Sequence, residues 1–181
     1  MNDLEIIELI LDGDKEKFRL LMEKYHNEMF KYIYNITGNY QDTEDLLQEI
    51  FYKIYKNLKK YDSAKAGFRT WLYRISKNHV LNHLNSSKSK IKNKTYEYDD
   101  SINSADENIE EKVVKDSQIN RIVTVMKNIL SDKHLQIMQL YYFSELTVKE
   151  IAETMTIPEK TIYKAIKSSI EKIKKEVTLD G

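Results

Sequence analysis

Three groups of side chains in this sequence have the types and spacing to do chemistry, and in each case the chemistry is binding. Asp42, Glu44 and Asp45 form a carboxylate cluster ahead of an apolar run, a pattern suited to gripping a protein. Phe68, Trp71 and Tyr73 stand inside a strongly basic stretch. Cations follow a phosphate backbone and aromatic faces hold unstacked bases, so this stretch suits a nucleic-acid strand. Near the C-terminus, Lys160, Lys164 and Lys167 surround Tyr163. His79 and His83 stand at i, i+4, but the zincin pattern has Glu where Val80 stands and no third ligand is evident, so no metal is expected. There is no Gly-rich phosphate loop, serine elbow or pair of catalytic carboxylates. The chain reads as a binding protein with no cofactor, not an enzyme.

Charge segregation sharpens that reading. The 181 residues hold 29 Lys and Arg against 29 Asp and Glu, a balance of zero. Residues 53–94 nonetheless carry 12 bases and the single acid Asp62, while residues 1–52 carry 12 acids and 5 bases. Residues 95–118 are acidic again, with 8 acids and 2 bases. A basic block with aromatics suits a polyanion; charge alone is equally compatible with a solvated lysine-rich face. The chain has no cysteine, which excludes disulfides and thiolate metal sites and fits a reducing cytoplasm. The opening MNDLEIIELILDGD lacks a basic start and is broken by charges, so no signal peptide is expected. No apolar run is long enough to span a membrane, so no membrane insertion is expected.

The elements that must position these groups read as helices. Only 4 Gly and 1 Pro occur in a chain that is 41% hydrophobic. Residues 3–11 form a short helix with Leu4, Ile7 and Leu11 on one face, and Asp14 is placed to cap the next. There Phe18, Leu21, Met22, Tyr25, Met29, Ile33 and Ile36 follow three-four spacing, and Gly38 supplies the stop. Asp42 is placed as the N-cap of a third helix, with Leu46, Leu47, Ile50, Phe51, Ile54, Tyr55 and Leu58 inward and Glu44, Gln48, Glu49 and Tyr52 opposite. A loop from Lys59 to Gly67 leads to a helix burying Phe68, Trp71, Leu72, Ile75, Val80, Leu81 and Leu84 and fading near Asn85-Ser86-Ser87. Lys88 to about Ser117 has few aliphatics and reads as a flexible linker.

Helical periodicity returns from Gln118, through Ile122, Val123 and Met126, and again at Leu135, Met138 and Leu140. Thr147 and Glu150 match a capping box that opens a short helix ending near Met155. Thr156-Ile157-Pro158 turns the chain into a longer basic helix with Ile162, Ile166, Ile170 and Ile173 on one side. A capped short helix, a tight turn and a basic helix form a helix-turn-helix suited to the major groove, with Tyr163, Lys164 and Lys167 in reach of base edges. A generic helical hairpin shares this outline.

LSDKHLQIMQLYYFSELTVKEIAETMTIPEKTIYKAIKSSIEKI resembles region 4 of the extracytoplasmic-function (ECF) sigma factors of RNA polymerase. DTEDLLQEIFYKIYKNL with FRTWLYRISKNHVLNHL resembles their region 2, in the right order and at the right separation. The chain departs from the family at Asn82 and Asn85, where Asp and Arg are usual. It departs again at Thr156 in place of a turn glycine, at Pro158, and at Tyr163, Ala165 and Ser168 in the recognition helix. The resemblance implies an all-α protein of two small domains: residues 1–90, a linker at 91–117, and residues 118–181. It implies a cytoplasmic factor that directs core polymerase to promoters. Core binding would fall to Asp42, Asp45, Leu47, Gln48, Glu49 and Phe51. The melted non-template strand at the minus-ten element would meet Lys60, Tyr61, Lys65, Phe68, Arg69, Arg74, Lys77 and Asn78. Duplex at the minus-thirty-five element would meet Lys160, Thr161, Tyr163, Lys164, Lys167 and Ser168. An anti-sigma protein is the implied regulator. A helix-turn-helix regulator that never engages polymerase, and a helical protein-interaction adaptor, are the alternatives; a metal hydrolase using His79 and His83 ranks last.

Overall fold

The computed structural model describes residues 1–91, 117–144 and 146–179. The expected linker falls almost wholly outside them. Eight α-helices account for the regular structure among the described residues, and no strand occurs there. They are α1 (Asp3–Leu11), α2 (Phe18–Thr37), α3 (Tyr40–Asn57), α4 (Phe68–Ile91), α5 (Ser117–Ile129), α6 (Asp132–Phe143), α7 (Val148–Met155) and α8 (Glu159–Leu179). Short 3₁₀ turns cover Lys15–Lys17 and Leu58–Lys60. The first four helices and the last four form two helical domains.

In the first domain α2 lies between α1 and α3, and α3 packs on α4. Met29, Ile33, Ile50 and Ile54 have no exposed surface, and Leu21, Leu46 and Leu72 have almost none. Each such side chain contributes about 1.5–3 kcal/mol relative to an exposed one. Gly38 ends α2 at φ 70°, and its N–H donates to the Tyr34 carbonyl at 2.7 Å, as the sequence suggested. In the second domain α8 receives α5, α6 and α7. Thr147 and Glu150 form the expected capping box, which fixes the start of α7. Thr156 then adopts the left-handed conformation at φ 57° and ψ 47°. A β-branched residue is strained there. The Ile157 N–H returns to the Ala152 carbonyl at 3.0 Å, closing the helix-turn-helix corner.

Several local expectations are corrected. Ile6, Ile7 and Ile10 face inward in α1, while Leu4 and Leu11 are exposed. The helix is apolar over much of its circumference, so periodicity leaves its rotation open. Asp3 settles it, accepting from Lys24 Nζ at 2.5 Å and from the Tyr25 hydroxyl at 2.6 Å. Asp14 makes no side-chain cap. Asn39, not Asp42, caps α3: its side chain accepts the Asp42 N–H at 2.9 Å, which leaves Asp42 in the first turn beside the positive helix end. α4 continues past Asn85-Ser86-Ser87 to Ile91, because serine and asparagine are poor helix formers without being breakers and the lysines after them are good ones. Tyr73, omitted from the inward stripe, is fully buried against Tyr32, with ring centroids 5.2 Å apart.

Three buried phenols give this core a pH limit. Burial raises the pKa of Tyr25, Tyr32 and Tyr73, and hydrogen-bonded or nearby carboxylates add to the shift for Tyr25 and Tyr73. The folded state therefore holds these protons more tightly than the unfolded chain, whose tyrosines titrate near ~10. Their contribution is complete below that pH and is lost as pH rises through the folded-state values. Stability should fall above pH ~10 by about 1.4 kcal/mol per pH unit for each tyrosine titrating only in the unfolded chain. Urea denaturation across an alkaline series measures this, and Tyr32→Phe should make the decline shallower.

Candidate nucleic-acid and protein interfaces

The α3 carboxylates lie where a protein partner can reach them. Asp42, Asp45, Gln48 and Glu49 are exposed along one side of the helix. Leu47 and Phe51, expected to add apolar contact area, are 2% and 3% exposed and belong to the core. Tyr52 stands in their place. At 63% exposure it is one turn from Gln48, and the Lys56 ammonium lies 5.3 Å from its ring centre. The i, i+4 spacing from Gln48 was the available signal for it. Beside this face Phe18, Met22, Gln48, Phe51, Tyr52 and Tyr55 line an open groove of about 720 Å³. Glu49 is also oriented from α4. His79 Nε2 lies 2.6 Å from its Oε2, while Lys53 Nζ lies 3.2 Å from His79 Nδ1. An ammonium only donates, so Nδ1 accepts and Nε2–H donates to Glu49. His79 thus serves as a strut; among the described residues no three His, Cys, Asp or Glu are grouped to hold a metal ion.

The candidate strand-binding residues separate into three environments. Lys60, Lys65 and Asn78 are exposed. Asp62 organises the loop that holds Lys65: it accepts the Ala64 N–H at 3.0 Å and pairs with Lys65 Nζ at 3.0 Å. The Lys65 hydrogen bond, followed by that from Ala64, lowers the Asp62 pKa. Tyr61 and Lys77 are half-buried. Burial, then the neighbouring Arg74 charge, lowers the pKa of Lys77. Phe68 is 3% exposed, with rings of Tyr25 and Tyr61 each 5.6 Å away, so it supports the loop from inside and offers no face to a base. Trp71 is partly buried against Tyr61 and Phe68, in keeping with its inward expectation.

Arg69 and Arg74 are engaged within the protein. Arg69 pairs with Glu28 through Nε and Nη2, both at 2.7 Å, and its Nη2 donates to the Ser144 carbonyl at 2.5 Å. Burial opposes the Arg69 charge, but the Glu28 hydrogen bond and charge outweigh it and its pKa is raised. The Tyr73 hydroxyl also donates to Glu28 at 2.7 Å. Arg74 Nη2 donates to the Glu153 carbonyl at 2.7 Å. Glu28 escaped sequence reading because its partners lie more than 40 positions away.

In the second domain the longer helix presents its lysines outward. Lys160, Tyr163, Lys164 and Lys167 are exposed, with Tyr163 at 60%, whereas Thr161 and Ser168 are half-buried. Ile162, Ala165, Ile166 and Ser169 form the opposite, buried face. A helix with one packed face and one face of lysines around an exposed aromatic can lie along a groove, with phosphates at its edges and bases beneath Tyr163.

A family model described as sigma-70 region 2 matches residues 21–90, and one described as Sigma-70, region 4 matches residues 128–175. Similar curated proteins include the ECF RNA polymerase sigma factor SigW of Bacillus subtilis (strain 168), 26% identical over 182 residues with 94% of each chain covered. The ECF RNA polymerase sigma-E factor of Haemophilus influenzae is 27% identical over 183 residues, covering 98% of this chain and 96% of that one. Among solved structures, CnrH in complex with the cytosolic domain of CnrY matches with a TM-score of 0.73 at 14% identity over 99% of each chain. RpoE of Bartonella quintana in complex with the anti-sigma factor NepR matches with a TM-score of 0.67 at 14% identity, covering 92% of this chain and 99% of that one. At such identities the likeness is one of fold.

The Glu28 cluster carries a direct test. Glu28→Ala leaves Tyr73 and Arg69 without their shared acceptor and should cost about 2–3 kcal/mol. That corresponds to a fall of about 1 M or more in the urea midpoint followed by circular dichroism. Glu28→Gln, which keeps an acceptor oxygen, should recover part of the loss.

Proposed function

We propose, for a chain that belongs to the sigma-70 family and within it to the ECF type, that it directs core RNA polymerase to specific promoters and starts transcription by binding, not catalysis. The observation carrying this reading is the presence of two region-specific matches, in order, with an exposed acidic face in the first and an exposed lysine face in the second. Residues 1–90 form the unit that meets core polymerase and the minus-ten element, residues 91–117 the linker, and residues 118–181 the unit that meets the minus-thirty-five element. Linking two weak sites on one promoter raises their combined affinity without new contacts.

Asp42, Asp45, Gln48 and Glu49 supply the polar contacts to core polymerase, with Tyr52 adding apolar area and the adjoining groove receiving a partner helix. Lys60, Lys65 and Asn78 follow the melted strand, and Tyr61 and Trp71 edge the place where a base is held. Arg69, Arg74 and Lys77 join them when their present surroundings are exchanged for phosphate. Lys160, Tyr163, Lys164 and Lys167 contact duplex. An anti-sigma protein is the expected regulator, in line with the partner seen with RpoE of Bartonella quintana. The site of action is the cytoplasm, where polymerase works; no described helix is long and apolar enough to cross a membrane.

Run-off transcription with purified core polymerase on a genomic template pool tests the whole reading: initiation at discrete start sites is expected, and none on any template overturns it. Reversing charge at Asp45 and Glu49 together should weaken core binding by about tenfold or more. Melting should be nearly unchanged, since both residues are exposed and a surface ion pair contributes ~1 kcal/mol or less. In footprints of the holoenzyme, Lys164→Ala and Lys167→Ala should each weaken upstream binding on all sequences and reduce the salt slope by about 1.

A further inference from the structure

A cavity of about 390 Å³ lies between α2, α4, α5 and α6, bordered by residues of both domains. Small-molecule sites begin near that size. Two ammonium groups border it. Lys77 of α4 is half-buried, and Lys127 of α5 stands exposed at the rim. Neither has a carboxylate partner among the described residues. Asp132, exposed at the start of α6, borders the same space and pairs with neither. Gln139 is an independent sign of a missing partner. It is 3% exposed and lines the cavity from α6, and its amide takes part in no hydrogen bond among the described residues. The hydroxyl of Tyr32, which lines the cavity from α2, is likewise unpartnered there. Buried polar groups are nearly always satisfied, so two exceptions on one cavity call for an explanation. Ile36, Val80 and Leu135 make part of the wall apolar.

We propose that this cavity binds a small phosphate monoester with a compact apolar or aromatic body. Lys77 and Lys127 hold the phosphate, Gln139 and Tyr32 donate to it, and the apolar wall encloses the body. Charge selects phosphate over carboxylate. A phosphate monoester carries a charge of about −1.5 to −2 near neutral pH and three strong acceptor oxygens, which matches two ammonium groups. A carboxylate brings one charge and two oxygens, and leaves one cation unbalanced. Burial and the neighbouring Arg74 charge both work against a charged Lys77, and an anion beside it reverses that penalty. Asp132 at the rim opposes the anion, so the phosphate sits deeper, toward Lys77 and Gln139. The donors come from α2 and α4 on one side and α5 and α6 on the other, so a bound ligand touches both domains. The site uses none of the residues assigned above to core polymerase or duplex. Lys77 is shared with the set assigned to the melted strand, so ligand and strand draw on one ammonium there.

Titration calorimetry on the full chain tests the site with phenyl phosphate as the probe. Benzoate, which carries the same ring, separates phosphate from carboxylate chemistry. Phenyl phosphate should bind with a Kd below about 1 mM, and about tenfold or more tightly than benzoate. No binding, or equal affinity for the two, would overturn the proposal. Lys77→Met and Lys127→Met should each weaken phenyl phosphate about tenfold, the loss expected for one charge-assisted hydrogen bond. Lys149→Met removes an exposed lysine of α7 that does not line the cavity and should leave the affinity unchanged. Equal losses in all three would mean that anions gather on surface lysines at large, and the site would fall. Lys127 is exposed, so its substitution remains informative even if Lys77→Met disturbs the fold. Gln139→Leu should weaken binding by about threefold or more without lowering the melting temperature, since the amide it removes has no partner. A lower melting temperature with unchanged affinity would show Gln139 to be structural and count against the proposal. None of these measurements uses polymerase or DNA, so failed run-off transcription overturns the promoter reading alone and failed titration overturns the ligand site alone.

Discussion

Taking a guanidinium out of water costs several kcal/mol unless a carboxylate and well-placed acceptors replace the lost hydration. Glu28 meets that condition for Arg69, and the rest of the molecule is arranged around the result. Its Oε1 also receives the Tyr73 hydroxyl, so one carboxylate oxygen ties α2 to two successive turns of α4. Arg69, once oriented, extends to the Ser144 carbonyl of the other domain. The relative placement of the two domains thus runs through a partly buried ion pair whose members all lie in one domain.

The two kinds of cation divide the work. The lysines at positions 60, 65, 160, 164 and 167 are exposed point charges on long flexible stems, suited to phosphates approached from solvent. Arg69 and Arg74 lie deeper and bind main-chain oxygens. A basic block that looks uniform in composition therefore contains solvent-facing charge ready for a polyanion and interface charge already matched to helix ends. Acidic and basic faces are likewise kept apart on neighbouring helices. Glu49 on α3 and His79 on α4 form the direct link between them, and that link is polar and exposed enough to be rearranged.

Much of the fold was legible because a buried helical stripe leaves a three-four pattern that needs no long-range information. The α2 and α3 stripes, the Gly38 stop and the Thr147 capping box are local events, set by side-chain volume, left-handed backbone freedom and one short hydrogen-bonded turn. The rotation of α1 was not legible, since apolar residues surround most of it and the deciding contacts come from Lys24 and Tyr25, a full helix away. The candidate sites follow the same division. The exposed lysines of α8 stand opposite its isoleucines by simple periodicity. Leu47 and Phe51 fall on the inward stripe of α3 by spacing, and their 2% and 3% exposure leaves little of the apolar contact area that the family resemblance implies for them.

Spacing within a turn or two was enough to show which segments are helices, the buried stripes of α2 and α3, and where charge gathers along the chain. It took the folded chain to show that Asp3 turns α1 toward Lys24 and Tyr25, that one Glu28 oxygen holds both Arg69 and Tyr73, and that Arg69 and Arg74 reach helix ends across the domain boundary. Those outcomes depend on partners 20 to 80 positions distant. Desolvation and hydrogen-bond geometry act on neighbours in space, and no periodicity along the chain records who those neighbours are.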